Sequence, residues 1–519
     1  MAVHTIVRKS EFYDSLHLMK VSEEVSQLRQ VKKAAVVMAT DLNKDVLKDM
    51  ALLTEEAARV GPNDLVIAFE LEHDEDLANV VARAEDLLTV QREEPGLAPA
   101  PSTLDGALEM LPRANLTLIS VPGEHAAKEA REALQRGLNV FLFSSNVPLQ
   151  DEVSLKKLAL EKNLLLMGPD CGTALIGGKI LGFGNVVRRG SIGIVSAAGT
   201  GIQEVSTLIH QLGEGVSHAI GTGGRDLKDE VQGTTMRRGI KLLAEDSSTE
   251  VIVLISKPPS PAVARRVLEE AEKSGKTIIA NFLGADPPAY KTEKATLTRT
   301  LEQTAVHAVA TVGGDAPEQV QQRLSTVDLE STVERELQGL ADTQRHIRGL
   351  FSGGTLCYET LLILRDSIGH VYSNTPLKPE YRLEDSHISQ GHTCVDMGSE
   401  EFVVGRAHPM IDPTLRQARI MREGRDPTVA VVLLDVVLGY GSHPDPAGAL
   451  LGSIAEVRVE AAEQGRRISF LASVVGTDED PQDLGAQERK LQDAGVLVLR
   501  SNAQAARVAS LIVQKRSGR

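Results

Sequence analysis

Hydrophobic and polar positions along this chain follow two rhythms, and their succession predicts layered α/β units. Val3 to Arg8 alternates with the period of a strand. Tyr13 to Val31 sets Leu16, Met19, Val21, Val25 and Leu28 at roughly helical spacing. A strand Ala34 to Ala39, a helix Asn43 to Leu53, a strand Asp64 to Leu71 and a helix Asp74 to Leu88 complete a small α+β unit over 1–90, with a ferredoxin-like arrangement expected. Residues 91–103 (QREEPGLAPAPST) carry three Pro and no periodicity, and read as a linker. From 104 to 188 strands and helices alternate: strand Leu116 to Val121, helix Glu124 to Arg136, strand Asn139 to Phe143, helix Asp151 to Lys162, strand Leu164 to Met167. That alternation predicts a parallel sheet that binds ligands at the carboxyl ends of its strands.

Internal comparison finds two copies of a further α/β unit, at 189–320 and 346–519. The first has the strand Ile192 to Val195, followed by Ser196-Ala197-Ala198-Gly199-Thr200-Gly201-Ile202-Gln203-Glu204. The second has Ile347 to Phe351, followed by Ser352-Gly353-Gly354-Thr355-Leu356-Cys357-Tyr358-Glu359. Gly-Thr-x-x-x-Glu recurs 155 positions apart (354 − 199), each time opening a predicted helix. Glu250 to Ser256 matches Ala430 to Val436 as a buried strand, and Lys276 to Phe282 matches Arg467 to Val474. The charged segment 321–345 reads as a helical connector.

Composition narrows the function classes. The 519 residues are 42% hydrophobic, enough for sizeable cores, and at about 150 residues per domain they suggest roughly three to four domains. Only 3% are aromatic and 44 are Gly, as stacked α/β layers with aliphatic strands and tight turns require. A net charge of −15, with no Trp, argues against nucleic acid as a partner. Three scattered cysteines (Cys171, Cys357, Cys394) make neither a disulfide framework nor a zinc site. The stretch Met1 to Lys9 lacks the apolar core of a signal peptide, and no apolar run approaches membrane-spanning length. A cytoplasmic protein with no membrane partner is therefore expected.

The candidate chemistry lies in the loops. A Gly-rich turn opening a helix presents N–H groups without intrahelical partners and the positive end of the helix dipole. Ser196, Ala198, Gly199, Thr200 and Gly201 form one such turn; Ser352, Gly353, Gly354, Thr355 and Leu356 form the other. Two helix starts facing one another would grip one phosphate from both sides. The bland alternative, small residues closing a βα turn, is weakened by the matched Thr and Glu. Gly221 to Asp226 is a further cluster in which Gly223 and Gly224 could approach an anion and Arg225 could donate to a carboxylate or phosphate, or simply face solvent beside a tight turn. In the second copy Arg406, His408 and Asp412, in a loop shaped by Pro409 and Pro413, could form a substrate clamp or an acid/base pair, or hold their own loop together. Arg225, Arg406 and His408 are the catalytic candidates. Asn146, Pro169, Asp170 and Cys171 mark a secondary cleft. His443 with Asp445, and His392 with Asp396, lack a specific metal spacing, so no metal is assigned.

These motifs carry a resemblance. Val121-Pro122-Gly123, Ser145-Asn146-Val147-Pro148, Gly168-Pro169-Asp170-Cys171 and Ser196-Ala197-Ala198-Gly199-Thr200 fall in the order seen in the α subunit of succinyl-CoA synthetase. The second copy is similar to the carboxyl-terminal domain of that enzyme's β subunit. Nearly the whole chain resembles the FdrA family, through Asp14 to Met19, Gly168 to Ala174, Gly221 to Leu227, Ser256-Lys257-Pro258-Pro259 and His408 to Pro413. The resemblance implies a multidomain α/β fold: the small ferredoxin-like unit, a Rossmann-like CoA-binding-type domain at 104–188, and two flavodoxin-like succinyl-CoA synthetase-type domains at 189–320 and 346–519. The synthetase's phosphorylated His has no counterpart in Leu283-Gly284-Ala285-Asp286-Pro287-Pro288, no segment matches its ATP-grasp domain, and the Gly-rich turn opening its CoA-binding domain is replaced by TLDGALEMLPRAN. The chain is thus expected to have no ATP site and no certain cofactor, with CoA left open. The family's association with purine and allantoin catabolism implies an oxamate carbamoyltransferase subunit that takes carbamoyl phosphate and other small anions and works with companion subunits. A homo-oligomer is left open. The alternatives are an acyl-CoA ligase with a separate ATP-grasp partner and a non-catalytic scaffold.

Overall fold

The computed structural model describes residues 3–518 except 12, 14, 72, 74–75, 90–100, 102, 286–291, 293, 325–327, 405 and 517. Most of the expected linker and the Asp286-Pro287-Pro288 segment lie outside the described residues. The chain divides into two compact units, 1–100 with 397–422, and 101–396 with 423–519.

In the first unit β1 (Val3–Arg8), β2 (Val31–Met38) and β3 (Leu65–Leu71) form a sheet in the order β1-β3-β2, with both pairings antiparallel. This is the split βαβ core of a ferredoxin-like sheet. Strand periodicity divides β3 between two cores. Leu65, Ile67, Phe69 and Leu71 meet Leu18, Val21 and Val25 of the helix Ser15–Ser26, while Val66 and Ala68 meet Leu47 and Leu52 on the other face. The first helix ends at Ser26, short of the expected Val31, which instead opens β2. Thr40 and Thr54 cap two short helices, Asp41–Asp49 and Glu55–Arg59; the expected helix Asn43 to Leu53 ends at Asp49, and the second helix lies beyond the expected one. The segment 397–422 folds with this unit, and Arg422 there pairs with Asp49 at 3.1 Å.

The second unit begins with a parallel three-stranded sheet, β4 (Leu116–Ile119), β5 (Asn139–Leu142) and β6 (Leu166–Met167), in that order. A hairpin follows, β7 (Thr173–Ile176) and β8 (Lys179–Gly182). Gly177 and Gly178 take the positive φ values (58° and 82°) that a two-residue turn of this kind needs. The hairpin extends the next sheet, built from β9 (Ile192–Ser196), β10 (Val216–Gly221), β11 (Val251–Ser256), β12 (Thr277–Phe282) and β13 (Thr296–Leu297), in the order β13-β12-β11-β9-β10-β7-β8. The last sheet holds β14 (His346–Phe351), β15 (Thr393–Asp396), β16 (Val429–Val437), β17 (Ser469–Val475) and β18 (Leu497–Leu499), in the order β15-β14-β16-β17-β18. All nine residues of β16 are buried, as befits a central parallel strand covered on both faces.

In each copy the first strand lies between the second and third, and the strand order reverses there. That is the doubly wound switch point, where ligands bind beyond the strand's carboxyl end. Both Gly-Thr turns stand at such points. The halves interlock through Gly184 and Tyr440, which exchange backbone hydrogen bonds, and through Asn185, whose Nδ2 donates to Leu438 O and Asp480 Oδ2 (3.0 and 2.8 Å).

Candidate functional site

The first copy's turn leaves its helix start open. Ser196 Oγ accepts from the Ala198 N–H (2.9 Å), and Ala197 N–H donates to Ile255 O. Neither bond caps the helix Gly199–Gln211, whose first intrahelical-type bond is Ile202 N–H to Ala198 O. The amides of Gly199, Thr200 and Gly201 thus have no intrahelical partner at the positive end of the helix; Gly199 and Thr200 are half-buried and Gly201 is buried against Ile255 and Thr355. No side chain caps the second helix, Gly354–Ile368, either, but its turn is filled differently. Asp435 Oδ1 accepts from Ser352 N–H (2.8 Å) and Oδ2 from Gly353 N–H (2.6 Å) and Ser352 Oγ (3.1 Å). A Cβ on Gly354 would come within 2.5 Å of Asp396 Oδ2.

The two turns, 155 residues apart, meet inside the second unit. Thr355 N–H donates to Thr200 Oγ1 at 3.3 Å, and a Cβ on Gly353 would sit 3.0 Å from Thr200 Cγ2. The expected symmetric grip needs correction. Ser352 and Gly353 do not turn their amides to an outside anion, because the carboxylate of Asp435 already holds them. An apolar run interrupted by a single Asp was the signal in the sequence: a charge in the middle of a buried strand requires donors.

The Gly221–Asp226 cluster receives the loop after β6. A Cβ on Gly221 would meet Cys171 Sγ and Thr173 O at 2.4 Å, and one on Gly223 would meet Pro169 O at 2.2 Å. Gly223 and Gly224 therefore lie against Pro169 and Asp170, and close backbone packing accounts for the glycines. Cys171 is buried and its thiol is pushed up to about 12 by loss of water, so it stays protonated. Asn146 sits on the neighbouring loop with φ 60°, packed against Gly123. Arg225 also departs from expectation: its Nε donates to Glu152 Oε2 (2.9 Å) and its Nη2 to Val147 O (2.7 Å). Glu152, fully buried, also pairs with Lys156, which binds Asp226 at 2.6 Å. An uncompensated buried carboxylate would be costly, and Arg225 answers that need. Thr222 N–H donates to Ser196 O, which ties this cluster to the open turn.

Arg406 and His408 belong to the first unit. Arg406 Nη2 lies 3.4 Å from Asp412 Oδ2, its side chain is 5% exposed, and its Nη1 has no partner among the described residues. His408 Nδ1 accepts from Met410 N–H. Asp445 pairs with Lys490 at 2.6 Å, and His392 Nδ1 accepts from Ile347 N–H.

The matched glutamates of the repeat are both buried, and each serves the other copy. Glu204 Oε1 accepts from Asn502 N–H (3.0 Å), the first amide of the helix Asn502–Arg516 that closes the second copy. Glu359 Oε1 accepts from Leu301 N–H (2.7 Å), the first amide of the helix Leu301–Gly313 that closes the first. Burial, with the charge of Glu359 nearby, pushes the Glu204 carboxyl up to about 8; burial pushes Glu359 up to about 7.

Known proteins share this plan. A family model described as a CoA-ligase matches residues 350–512, one described as a CoA binding domain matches 187–284, and one described as "AllF, heavy metal-associated domain" matches 1–100. The uncharacterized protein YahF of Escherichia coli is 44% identical over 502 residues, which cover 97% of both chains. The chain belongs to the FdrA/YahF family of succinyl-CoA synthetase-like proteins. The succinate–CoA ligase α subunit of Aquifex aeolicus is 36% identical over 148 residues, 27% of this FdrA/YahF chain and 47% of the subunit. The mitochondrial subunit alpha-2 of Trichomonas vaginalis is 32% identical over 186 residues, 34% and 59% of the respective chains. The FdrA/YahF chain thus spans about half the length of these ligase subunits. No helix among its described residues is long and apolar enough to cross a membrane.

Proposed function

We propose that this chain is a subunit of a group-transfer enzyme that holds a phosphate at the turn Ser196–Gly201. In this reading it transfers a carbamoyl group from carbamoyl phosphate to oxamate, giving oxalurate and phosphate. The oxamate amide nitrogen attacks the carbamoyl carbon and loses a proton, and the C–O bond to phosphate breaks. Amides already aimed at the leaving oxygens stabilise their charge without reorganising, and holding two small anions side by side supplies further rate. The observation that carries the reading is the helix start of the first copy, which faces Thr355 and has no side-chain cap among the described residues.

The test is phosphate release from carbamoyl phosphate by the chain with its companion subunits. Release should require oxamate, and changing Thr200 and Thr355 together to Phe should abolish it; unaltered turnover would remove the turns from the chemistry. A second reading, an acyl-CoA ligase completed by a separate ATP-grasp subunit, is favoured by the matches to CoA-ligase and CoA binding domain models and to ligase α subunits. Calorimetric binding of CoA would support it, and no binding at millimolar CoA would set it aside.

A further inference from the structure

Asn502 is a buried hub on which both Gly-Thr helices converge. Its N–H donates to Glu204 Oε1, five positions beyond Gly199. Its Nδ2 donates to Glu359 Oε2 (2.7 Å) and to Leu356 O (3.0 Å), in the first turn of the second helix, and its Oδ1 accepts from Thr360 Oγ1 (3.3 Å). One fully buried side chain and its own backbone amide therefore touch both helices just beneath their tips.

The charges around the hub are one-sided. Glu204 is faced by the carboxyl groups of Glu359, Glu302 and Asp435. Glu359 is faced by Glu302 and by the cation Arg507. Arg507 is already paired with Glu302 at 2.9 Å, a carboxylate that also accepts from Ser501 Oγ. Asp435 is held by the amides of Ser352 and Gly353. Among the described residues the Glu204–Glu359 pair thus has hydrogen-bond donors but no cation in an ion pair with it, and it sits behind the turns that would receive an anion.

We propose that Asn502 is the positioning residue of the phosphate site, holding the two helix starts in register through Glu204 and Glu359, and that the charge on this carboxyl pair sets how tightly the site holds an anion. This rests on the reading of the Ser196–Gly201 turn as a phosphate site. The mechanism is electrostatic. A neutral pair leaves the positive helix ends free to act on the ligand. Each carboxylate formed beneath them opposes the dipole and repels the anion. Both carboxyls are raised, Glu359 to about 7 and Glu204 to about 8, so they ionise in turn as the pH rises through that range. The site then weakens without any change at the ligand.

Sulfate is the probe of choice, since its charge is constant across the range, with inorganic phosphate as comparison. Calorimetry on the full chain should show sulfate affinity falling about fivefold or more between pH 6 and 9, the size of an ordinary coupling free energy. Glu204→Gln keeps an acceptor for the Asn502 N–H and should flatten that profile while keeping the low-pH affinity. Glu359→Gln sets an N–H against either Leu301 N–H or Asn502 Nδ2, so it should flatten the profile and also lower affinity at every pH. Asn502→Ala should lower affinity at every pH. Should Asn502→Ala fail to fold, Glu204→Gln carries the test. Affinity that does not change with pH in the unaltered chain, or a slope undiminished by Glu204→Gln, overturns the inference and leaves the phosphate site standing. If neither sulfate nor phosphate binds at any pH, the phosphate site itself is overturned, and this inference with it.

Discussion

The two Gly-Thr turns come from one repeated pattern, and they differ in what stands across from them. Beside β9 the sheet register brings Gly221 of β10 and Ile255 of β11 against Ser196. Beside β14 the last pair with β15 is Phe351 and Asp396, and one step beyond the last pair with β16, Leu350 and Leu434, stands Asp435. The second helix start is answered from within by carboxylates; the first faces a glycine and an aliphatic side chain. A helix dipole left without an internal anion is the one free to take an external anion. Duplication supplied two equivalent positive ends, and two neighbouring strands made one structural and left the other open.

The comparison can be broken in several ways. The largest effect should come from Asp435→Ala, which orphans two amides and a hydroxyl of the second turn. We expect a loss of about 3 kcal/mol in urea unfolding, and a loss under 1 kcal/mol would show that the carboxylate is not the cap. Gly354→Ala should cost about 2 kcal/mol, because its Cβ would meet Asp396 Oδ2 at 2.5 Å. Gly199→Ala, with only Thr173 Oγ1 at 3.4 Å, should change stability by less than about 0.5 kcal/mol. Equal losses at the two glycines would erase the distinction. The raised carboxyls of Glu204 and Glu359 contribute stability that is fully present below their unfolded values and is lost as the pH rises through about 7 and about 8. Glu204→Gln should therefore match the unaltered chain near pH 5 and exceed it by about 1–2 kcal/mol at pH 9, read from unfolding curves at both. Thr200→Val removes only the acceptor of the Thr355 N–H. It should cost about 1 kcal/mol and speed hydrogen exchange at that amide.

Much of the fold was legible because periodicity reports burial. The runs Ile192 to Val195 and Val429 to Leu438 read as buried parallel strands, and the repeat set both Gly-Thr turns at the starts of helices. Local capping was less visible: Thr40 opens its helix at Asp41, ahead of the expected Asn43, and Thr54 caps a second short helix that hydrophobic spacing does not show, since a cap is a single hydrogen bond and leaves no period. The role of Arg225 was not legible at all. Its partner Glu152 lies 73 positions earlier in the chain, and nothing about an Arg beside glycines says whether its fork meets a ligand or a buried carboxylate.

The sequence by itself determined the alternation of strands and helices, the duplication and the Gly-Thr openings, because each is written in local spacing that any fold must respect. Only the tertiary structure decided that Asp435 fills one opening, that the glutamates cross over to cap each other's closing helices, and that Asn502 joins them. Those assignments depend on which strands lie side by side and on bonds spanning 58 to 298 residues. Chain folding sets such distances, and no local pattern encodes them.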